Sequence, residues 1–261
     1  IYLFAMDIDT VIDYKYHYLK TSGVLDNMQK LFGRSIPQLL RKIKKDTFSN
    51  NSFGIIHIGA STGQERFIYD ELDLDVIWIE ANPEVTSTLQ HNIKDYPKQI
   101  GYQGLITDEV GKQHDFKITN HAESSSIFDL ALHLEVYPHV QHTDTISLTS
   151  TTLTQFINDQ QIDVSKYQVL LLDIEGAELL ALRGAENILS NFDFIITEVS
   201  DFECYKDCYT LTELRFYLHK TGFLENDRIL QHRHHIGNCY DILYEKFSKY
   251  HYLKTSGVLD K

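Results

Sequence analysis

The sequence Ile-Ile-His-Ile-Gly-Ala-Ser-Thr-Gly occupies residues 55–63, and the acid Glu80 ends the next apolar run, residues 76–79. α/β proteins bind a nucleoside with such a series of elements: a strand, a turn with two glycines, a helix and a second strand that ends in an acid. Gly59 and Gly63 carry no Cβ, so the chain can turn sharply and a ligand can approach the backbone. The carboxylate of Glu80 would accept hydrogen bonds from ribose hydroxyls.

The spacing of the two glycines distinguishes between nucleoside cofactors. A dinucleotide loop has the pattern G-x-G-x-x-G, which aims a helix N-terminus at a pyrophosphate. Gly59 and Gly63 are four residues apart, and a third glycine is missing. We therefore expect a cofactor without a phosphate, S-adenosylmethionine. A nicotinamide-dependent oxidoreductase and a non-catalytic nucleoside-binding module are the alternatives, and a bare GxxxG pattern also fits plain packing of a helix on a strand.

The composition limits the partners. The chain of 261 residues has a formal net charge of −13, and phosphates need a basic surface, so we expect no nucleic-acid partner. No apolar run is long enough to span a membrane, and the first six residues lack the features of a signal peptide. Three cysteines give no disulfide framework, which favours a cytoplasmic protein. Cys204, Cys208 and the histidines of 232–235 lack the usual ligand spacing, so we expect no metal.

The two ends of the chain carry the same twelve residues, KYHYLKTSGVLD, at 15–26 and 249–260. A repeat confined to the ends is not a solenoid period. An assembly artefact is the favoured explanation, ahead of a recent duplication or paired tails, and we attach no function to it. We expect an N-terminal helical or irregular extension over 1–50, a Rossmann-like domain over 51–248 and a tail over 249–261.

From residue 53 onward, apolar strands and helices alternate. Residues 167–174 are almost continuously apolar, which is typical of a strand buried on both faces. The alternation predicts a doubly wound α/β fold with a mostly parallel sheet, and residues 223–247 predict an antiparallel terminal hairpin. Further predicted elements are a helix with an apolar stripe over 36–43, a strand near 100–106, a hairpin over 108–117, a short helix over 127–134 and a helix over 178–191.

Ligands in such sheets lie outside the carboxyl ends of the strands, where this sequence concentrates polar residues. The residues predicted there to bind the cofactor are Gly59, Ala60, Ser61, Gly63, Glu80, Asn82, Thr107, Asp108 and Asp173. Asp108 would accept a hydrogen bond from the adenine amino group, or it is an acid that begins a turn.

Asp173 and Glu175 are separated by one residue, so an extended backbone projects both side chains to the same face. One would bind the amino group of the cofactor, and the other would take a proton from an acceptor hydroxyl. Alternatively, the negative charge of Glu175 stabilises the N-terminus of the next helix. Candidates for the general base are Glu175, Glu198 and His57, in that order, although a hydrogen-bonded core histidine also explains His57.

The sequence resembles the FkbM family of S-adenosylmethionine-dependent methyltransferases. The matching motifs are HIGASTGQE at 57–65, WIEANP at 78–83, SSSI at 124–127, and LDIEGAEL at 172–179 followed by RGA at 183–185. The likeness runs in order from about residue 53 to residue 247.

The resemblance implies a class I methyltransferase fold with a seven-stranded sheet and O-methylation of a hydroxyl, often on a sugar or a polyketide-type product. It therefore predicts a small-molecule or glycan acceptor. We expect the segments 122–142, rich in His and aromatic residues, and 202–209 to shape the acceptor pocket, although their residues do not identify the compound. His57 stands where the superfamily commonly has an acid, which shifts the binding of the methionine ammonium to Asp173. The cofactor-site residues that it implies are Gly59, Glu80, Asp108 and Asp173, with Ser125 and Ser126 at the methionine carboxylate unless they belong to a flexible loop.

Overall fold

The computed structural model describes residues 35–48 and 53–247. Its strands are β1 Gly54–Ile58, β2 Asp75–Glu80, β3 Gln99–Gln103, β4 Leu105–Ile106, β5 Gln113–Thr119, β6 His142–Thr151, β7 Tyr167–Leu172, β8 Phe194–Ser200, β9 Phe223–His234 and β10 Gly237–Lys246. Its α-helices are α1 Ser35–Asp46, α2 Arg66–Glu71, α3 Pro83–Ile93, α4 His133–Val136, α5 Leu153–Asp159, α6 Glu178–Gly184 and α7 Leu211–Lys220.

The main sheet has seven strands in the order β3-β2-β1-β7-β8-β10-β9. The first five of these strands are parallel to one another, and β10 is antiparallel to both β8 and β9. The strand order reverses at β1, which lies between β2 and β7, so ligands are expected at the carboxyl ends of these strands. The predicted α/β fold, a mostly parallel seven-stranded sheet with an antiparallel terminal hairpin, is confirmed.

The two faces of the sheet carry separate hydrophobic clusters because successive side chains of a strand point to opposite faces. Ile56, Leu170 and Ile195 pack on one face against α5, α6 and α7. On the other face, Ile55 and Val169 pack among residues of α1, α2 and α3. Strands covered on both sides must be apolar along their whole length, which explains the continuous apolar run in β7.

Helix α1 belongs to one of these layers, although it lies within the stretch predicted as an extension. Leu39, Leu40 and Ile43 are buried in the sheet-covering cluster, as the apolar stripe of residues 36–43 predicts for a helix. Lys42 of this helix forms an ion pair of 2.7 Å with Asp227 of β9. The domain boundaries remain a prediction, and both copies of the repeat lie outside the described residues.

A small second sheet has the order β4-β6-β5 and follows β3. The hairpin predicted over 108–117 is wrong, because β4 and β5 do not pair with each other. Strand β6 lies between them, parallel to β4 and antiparallel to β5. The single strand predicted near 100–106 is likewise divided, since Gly104 separates β3 in the main sheet from β4 in the small one.

Two helices are shorter in the structure than the sequence predicts. Much of 127–134 contacts other segments of the chain, as in the isolated bridge between Leu130 and Tyr205, and only the single turn of α4, His133–Val136, is helical. The helix predicted over 178–191 ends at Gly184, and a separate 3₁₀ turn covers 189–191. Among the described residues, no helix is long and apolar enough to cross a bilayer.

Gly184, in the last turn of α6, explains the Gly-Ala pair of the sequence motif. A Cβ at this position would lie 2.1 Å from the carbonyl oxygen of Thr107 and 3.2 Å from Cβ of Thr152. The helix therefore approaches the chain after β4 so closely that only glycine fits there. Helix propensity favours alanine over glycine at this residue, whereas packing excludes the Cβ of alanine.

We expect Gly184→Ala to lower the free energy of unfolding by about 1–2 kcal/mol. Overpacking costs roughly 1–3 kcal/mol, which exceeds the gain of about 1 kcal/mol in helix propensity. Urea unfolding followed by circular dichroism measures the change. Thr88→Ala on the exposed face of α3 is the control, because it changes propensity by only about 0.5 kcal/mol. Unchanged or increased stability of the Gly184 variant would contradict the packing argument.

Candidate functional site

A cavity of about 570 Å³ opens at the carboxyl ends of β1, β2, β7 and β8. Most of the sequence-predicted site residues line it, and they come from loops that are far apart in the chain. Those that line it are Gly59, Ala60, Ser61, Glu80, Ser125, Ser126 and Asp173 from the cofactor set, and Glu175, Glu198 and His57 from the general-base set.

The turn after β1 brings the ends of β1 and β7 into direct contact. The backbone N–H of Asp173 donates to the carbonyl of Ile58 at 3.0 Å. Gly59 has a φ of +84°, and a Cβ on it would lie 1.7 Å from the carbonyl oxygen of Asp173. Only glycine permits both the left-handed backbone and this approach. The first glycine of the motif is therefore required by the joint between the two strands.

Glu80 is fixed at the end of β2 by the two loops on either side of it. The backbone N–H of Ser61 donates to Oε2 at 2.9 Å, and that of Asn82 donates to Oε1 at 2.8 Å. Each oxygen keeps a further lone pair for a ligand hydroxyl. The side chain is 8% exposed, and burial raises its pKa to about 7 against the opposing effect of these hydrogen bonds.

Four predicted cofactor residues lie beside the cavity but outside its lining. Gly63 packs against Leu89, and Asn82 caps α3 by accepting from the N–H of Glu84 at 3.0 Å. Thr107 is fully buried under α6, and Asp108 is half-buried in the turn before β5. Of these four, Asn82 reaches the site through its backbone N–H, which holds Glu80.

The loop after β7 has an unusual backbone that another acid stabilises. Glu175 and Gly176 have φ values of +55° and +96°, in the left-handed region. The carboxylate of Glu178 accepts from the N–H groups of Ile174 at 3.0 Å and of Gly176 at 3.2 Å. Glu178 therefore binds the free N–H groups before α6, the role that the sequence left open for Glu175. Burial raises the pKa of Glu178 to about 7.

Glu175 is held at both its side chain and its backbone. The hydroxyl of Tyr205 donates to Oε2 of Glu175 at 2.7 Å, and the hydroxyl of Ser126 donates to its carbonyl oxygen at 2.8 Å. Burial raises the pKa of Glu175 to about 8, and the hydrogen bond from Tyr205 opposes the rise. The neighbouring Ser125 is used differently, because its hydroxyl accepts from the N–H of Thr119.

Asp173 and Glu198 lie on the same side of the cavity as Glu175. Burial raises the pKa of Asp173 well above its usual value, and the charge of Glu175 raises it further. Burial raises the pKa of Glu198, and the charges of Asp173 and Asp241 raise it further. Asp241 lies opposite Glu198 where β8 pairs with β10. The cavity thus holds carboxyl groups that repel one another in their charged forms.

His57 has the environment of a core histidine. Its Nδ1 lies 2.9 Å from the hydroxyl of Tyr69, and its ring stacks on Trp78 with a centroid distance of 4.9 Å. The side chain is 2% exposed, and burial lowers its pKa to about 3. Such an imidazole is a weak base at neutral pH, so of the three general-base candidates His57 fits that role least well.

Glu65, Glu123, Glu178 and Tyr205 of the lining were not predicted individually, although Glu123 and Tyr205 lie in 122–142 and 202–209, the segments expected to shape the acceptor pocket. Glu65 and Glu178 stand inside the sequence motifs just after the strand ends, and this position could have identified them. Burial raises the pKa of Glu65 to about 7. Glu123 and Tyr205 lie on irregular segments with no periodic pattern, and only the folded chain brings them to the cavity.

Two segments cover the outer side of the cavity, and they are joined to each other. The N–H of His133 donates to the carbonyl of Cys204 at 2.8 Å, and the N–H of Lys206 donates to that of Asp129 at 2.9 Å. The ring of His133 lies 5.1 Å from that of Tyr205 and 5.0 Å from that of Tyr137. We call residues 121–140 and 204–209 the strap.

The lining has a strong excess of acidic over basic side chains. Its seven acids are Glu65, Glu80, Glu123, Asp173, Glu175, Glu178 and Glu198, and no Lys or Arg lines the cavity in the described part of the chain. Within the same described residues, no group of three or more His, Cys, Asp or Glu is arranged to hold a metal ion. A nucleoside with a positively charged side chain fits this donor set, because Glu80 can bind the ribose and the other acids can attract the charge.

Comparison with known proteins agrees with this geometry. The model of the methyltransferase FkbM domain matches residues 57–225. The 2-O-methyltransferase NoeI of Sinorhizobium fredii is 24% identical over 161 residues, which cover 58% of this chain and 65% of NoeI, slightly less than two thirds of its length.

Solved structures share the fold at low identity. The METTL16 methyltransferase domain has a TM-score of 0.50 and 6% identity, covering 83% of this chain and 68% of that one. A TehB-like methyltransferase from Corynebacterium glutamicum has a TM-score of 0.42 and 10% identity, covering 88% and 98%.

The family match spans the glycine turn, Glu80 and the loop after β7, which are the elements that build the cavity. It confirms the resemblance inferred from the motifs and favours methyl transfer over nicotinamide chemistry. The chain belongs to the FkbM family of S-adenosylmethionine-dependent methyltransferases.

Proposed function

We propose that this protein transfers a methyl group from S-adenosylmethionine to a hydroxyl of a sugar or a similar small molecule. The observation that carries the proposal is the cavity at the carboxyl ends of β1, β2 and β7, with seven acids in its lining. When bound, S-adenosylmethionine supplies a methyl group on a good leaving group, a positively charged sulfonium.

On the cofactor side, Glu80 accepts hydrogen bonds from the two ribose hydroxyls. Its orientation is set in advance by the N–H groups of Ser61 and Asn82, so little ordering is needed on binding. Asp173 binds the methionine ammonium, because it lies across the glycine turn from Glu80 in a region of negative charge. Ser126 and Ser125 line the same cavity near the loop after β7.

On the acceptor side, the strap presents aromatic rings beside carboxyl groups. His133, Tyr137 and His139 line the cavity together with Glu123. Ring faces and carboxylates suit an uncharged polyol, whose C–H groups pack on rings and whose hydroxyls donate to acids. The same acids repel a phosphate-rich acceptor, which argues against nucleic acid. NoeI, by its name a 2-O-methyltransferase, supports transfer to oxygen.

Catalysis requires the acceptor oxygen in line with the methyl group, and this placement accounts for most of the rate. A general base contributes roughly 10²–10⁴-fold in addition by removing the hydroxyl proton. Glu175 is the best candidate, because its pKa of about 8 lies near neutral pH and the strap contacts it directly. Glu198 lies opposite Asp241 in the sheet, and the charges of Asp173 and Asp241 both oppose its ionisation.

The direct test is incubation of the protein with S-adenosylmethionine labelled in the methyl group and a panel of sugars, glycosides and polyketide alcohols. We expect label in an alkali-stable methyl ether of at least one acceptor. Label appearing only on amines, carboxylates or carbon would overturn the assignment to hydroxyl oxygen. Absence of label in every class would favour a non-catalytic binding module.

Glu80→Gln and Asp173→Asn should have different effects on two ligands. Glu80 would bind ribose, so Glu80→Gln should weaken S-adenosylmethionine and methylthioadenosine alike by tenfold or more, because a hydrogen bond to a charged group is worth about 1.5–3 kcal/mol. Asp173 would bind the ammonium, which methylthioadenosine lacks, so Asp173→Asn should weaken only the cofactor. Calorimetry measures both affinities.

Glu84→Gln is the matched control, since it removes an exposed carboxylate from the first turn of α3 near the site. Neither affinity should change by more than about twofold, because surface charges contribute little. If Asp173→Asn weakened both ligands equally, the ammonium role would be rejected. Unchanged affinities of Glu80→Gln would reject the ribose role.

Binding of the cofactor should release protons from the protein. The pKa values of Glu65 and Glu80 are raised to about 7 and that of Glu175 to about 8, so these groups are partly protonated at pH 7. A bound cation favours their charged forms and lowers these pKa values. Affinity should therefore rise with pH between about 6 and 8 and level off above that window.

Calorimetry at pH 7 in two buffers of different ionisation enthalpy counts the released protons. Glu175→Gln should release fewer, by up to about one proton, than the unmodified chain. The ligand is the same in both titrations, so the difference belongs to the protein. Glu84→Gln should release the same number as the unmodified chain, and equal release by Glu175→Gln would contradict the coupling.

A further inference from the structure

We propose that Tyr205 is a positioning residue, which orients Glu175 as the general base and does so as part of the strap that covers the acceptor. This inference rests on the proposed function and extends it to Tyr205, to which neither the sequence motifs nor the family assignment gives a role. Its basis is the set of contacts that fix Tyr205 on one side and Glu175 on the other.

Tyr205 is locked in place although it lies on an irregular segment. Its side chain is 2% exposed. Its hydroxyl donates to Oε2 of Glu175 at 2.7 Å and lies 3.4 Å from the carbonyl oxygen of Ser124. Its backbone forms the isolated bridge to Leu130. The hydroxyl therefore points to one carboxylate oxygen with little freedom to move away.

The backbone around Tyr205 belongs to the strap on both sides of the contact. Cys204 accepts a hydrogen bond from the N–H of His133, and Lys206 donates one to the carbonyl of Asp129. The ring of His133 lies 5.1 Å from the ring of Tyr205. Displacement of the strap would therefore remove the hydroxyl from Glu175.

Glu175 is held in a conformation that an L-residue adopts at a cost. Its φ of +55° lies in the left-handed region, which costs about 1–2 kcal/mol. The hydroxyl of Ser126, also from the strap, donates to its carbonyl oxygen at 2.8 Å. The strap thus holds Glu175 at two points, one on the side chain and one on the backbone, and the strained loop keeps the carboxylate toward the cavity lining.

The acids around Glu175 raise its pKa, whereas Tyr205 lowers it. Its pKa is raised by burial and by the charges of two acids, and its own charge acts on further groups. The two acids are Glu178 and Glu123, and the groups on which the charge of Glu175 acts include Asp173, Glu198, Tyr137, Cys204 and Cys239. The hydrogen bond from Tyr205 lowers the pKa of Glu175, so it favours the charged form that can accept a proton.

The proton balance of the step follows from this arrangement. Glu175 takes the proton of the acceptor hydroxyl as the bond between oxygen and the methyl carbon forms and the bond between that carbon and sulfur breaks. The products are a methyl ether, S-adenosylhomocysteine and protonated Glu175, which returns its proton to water. Tyr205 keeps its own proton throughout, because its hydroxyl only donates a hydrogen bond.

The test is Tyr205→Phe, which keeps the ring and removes the hydroxyl. Loss of the hydrogen bond should move the acidic limb of the kcat/KM–pH profile to higher pH by up to about one unit and lower the rate near pH 7 by about tenfold, since one pKa unit corresponds to a factor of ten. The KM for S-adenosylmethionine should change by less than about twofold. Substitution of 3-fluorotyrosine at position 205, a stronger donor, should move the limb to lower pH.

Tyr217→Phe is the matched control, because its hydroxyl donates to a backbone carbonyl, that of Leu182, at 3.2 Å, outside the cavity. Its pH profile should match that of the unmodified chain. Tyr205→Phe combined with Glu175→Gln should be no slower than Glu175→Gln alone, since Tyr205 acts through Glu175. A rate loss of Tyr205→Phe that is equal at all pH values would reduce Tyr205 to a structural residue and overturn the proposal.

A second readout is independent of turnover. Carboxyl ¹³C NMR, with the Glu175 signal assigned by its loss in Glu175→Gln, gives the pKa of this side chain in each variant. We expect a higher pKa in Tyr205→Phe. An unchanged pKa would overturn the inference, and so would a raised pKa without a shifted pH profile. Lack of methyl transfer by the unmodified chain, with a raised pKa in the variant, would instead count against the proposed function.

Discussion

The close contact between the ends of β1 and β7 is the constraint on which the site depends. Gly59 lies so near the carbonyl of Asp173 that a Cβ would occupy the same space. The joint places the glycine turn, with its N–H group on Glu80, directly opposite the acidic loop after β7. A nucleoside and the charge attached to it can therefore be bound on either side of one turn. Any larger residue at position 59 would separate the two halves of the site.

The second organising feature is the free-energy cost of burying, close together, the acids that this joint brings into the cavity. Burial raises the pKa values of Glu80, Asp173, Glu175 and Glu198, and repulsion from neighbouring acids adds to the rise at the last three, so the free cavity favours protonated carboxyls. Part of the cost is offset by backbone N–H groups, as at Glu80 and Glu178. A bound cation would offset more of it, which links the electrostatics of the free protein to the cofactor of its family.

The strap adds a connection between acceptor binding and chemistry. Its two segments are joined by backbone hydrogen bonds, and Ser126 and Tyr205 both contact Glu175. In the proposed function, the general base would therefore be supported by the same residues that enclose the acceptor. These two contacts help to hold Glu175 in its left-handed backbone conformation.

Sequence patterns were enough to predict the doubly wound sheet, the glycine turn and the acids at the strand ends, because apolar periodicity and strand-end residues are local properties. The sequence did not determine that β5 pairs with β6 instead of β4, that Glu178 takes the N–H groups left open for Glu175, or that α1 completes a sheet layer. Nor did it indicate the hydrogen bond from Tyr205 to Glu175. These features depend on contacts between segments far apart in the chain, and such contacts exist only once packing has selected one set of neighbours, so the tertiary structure alone decided them.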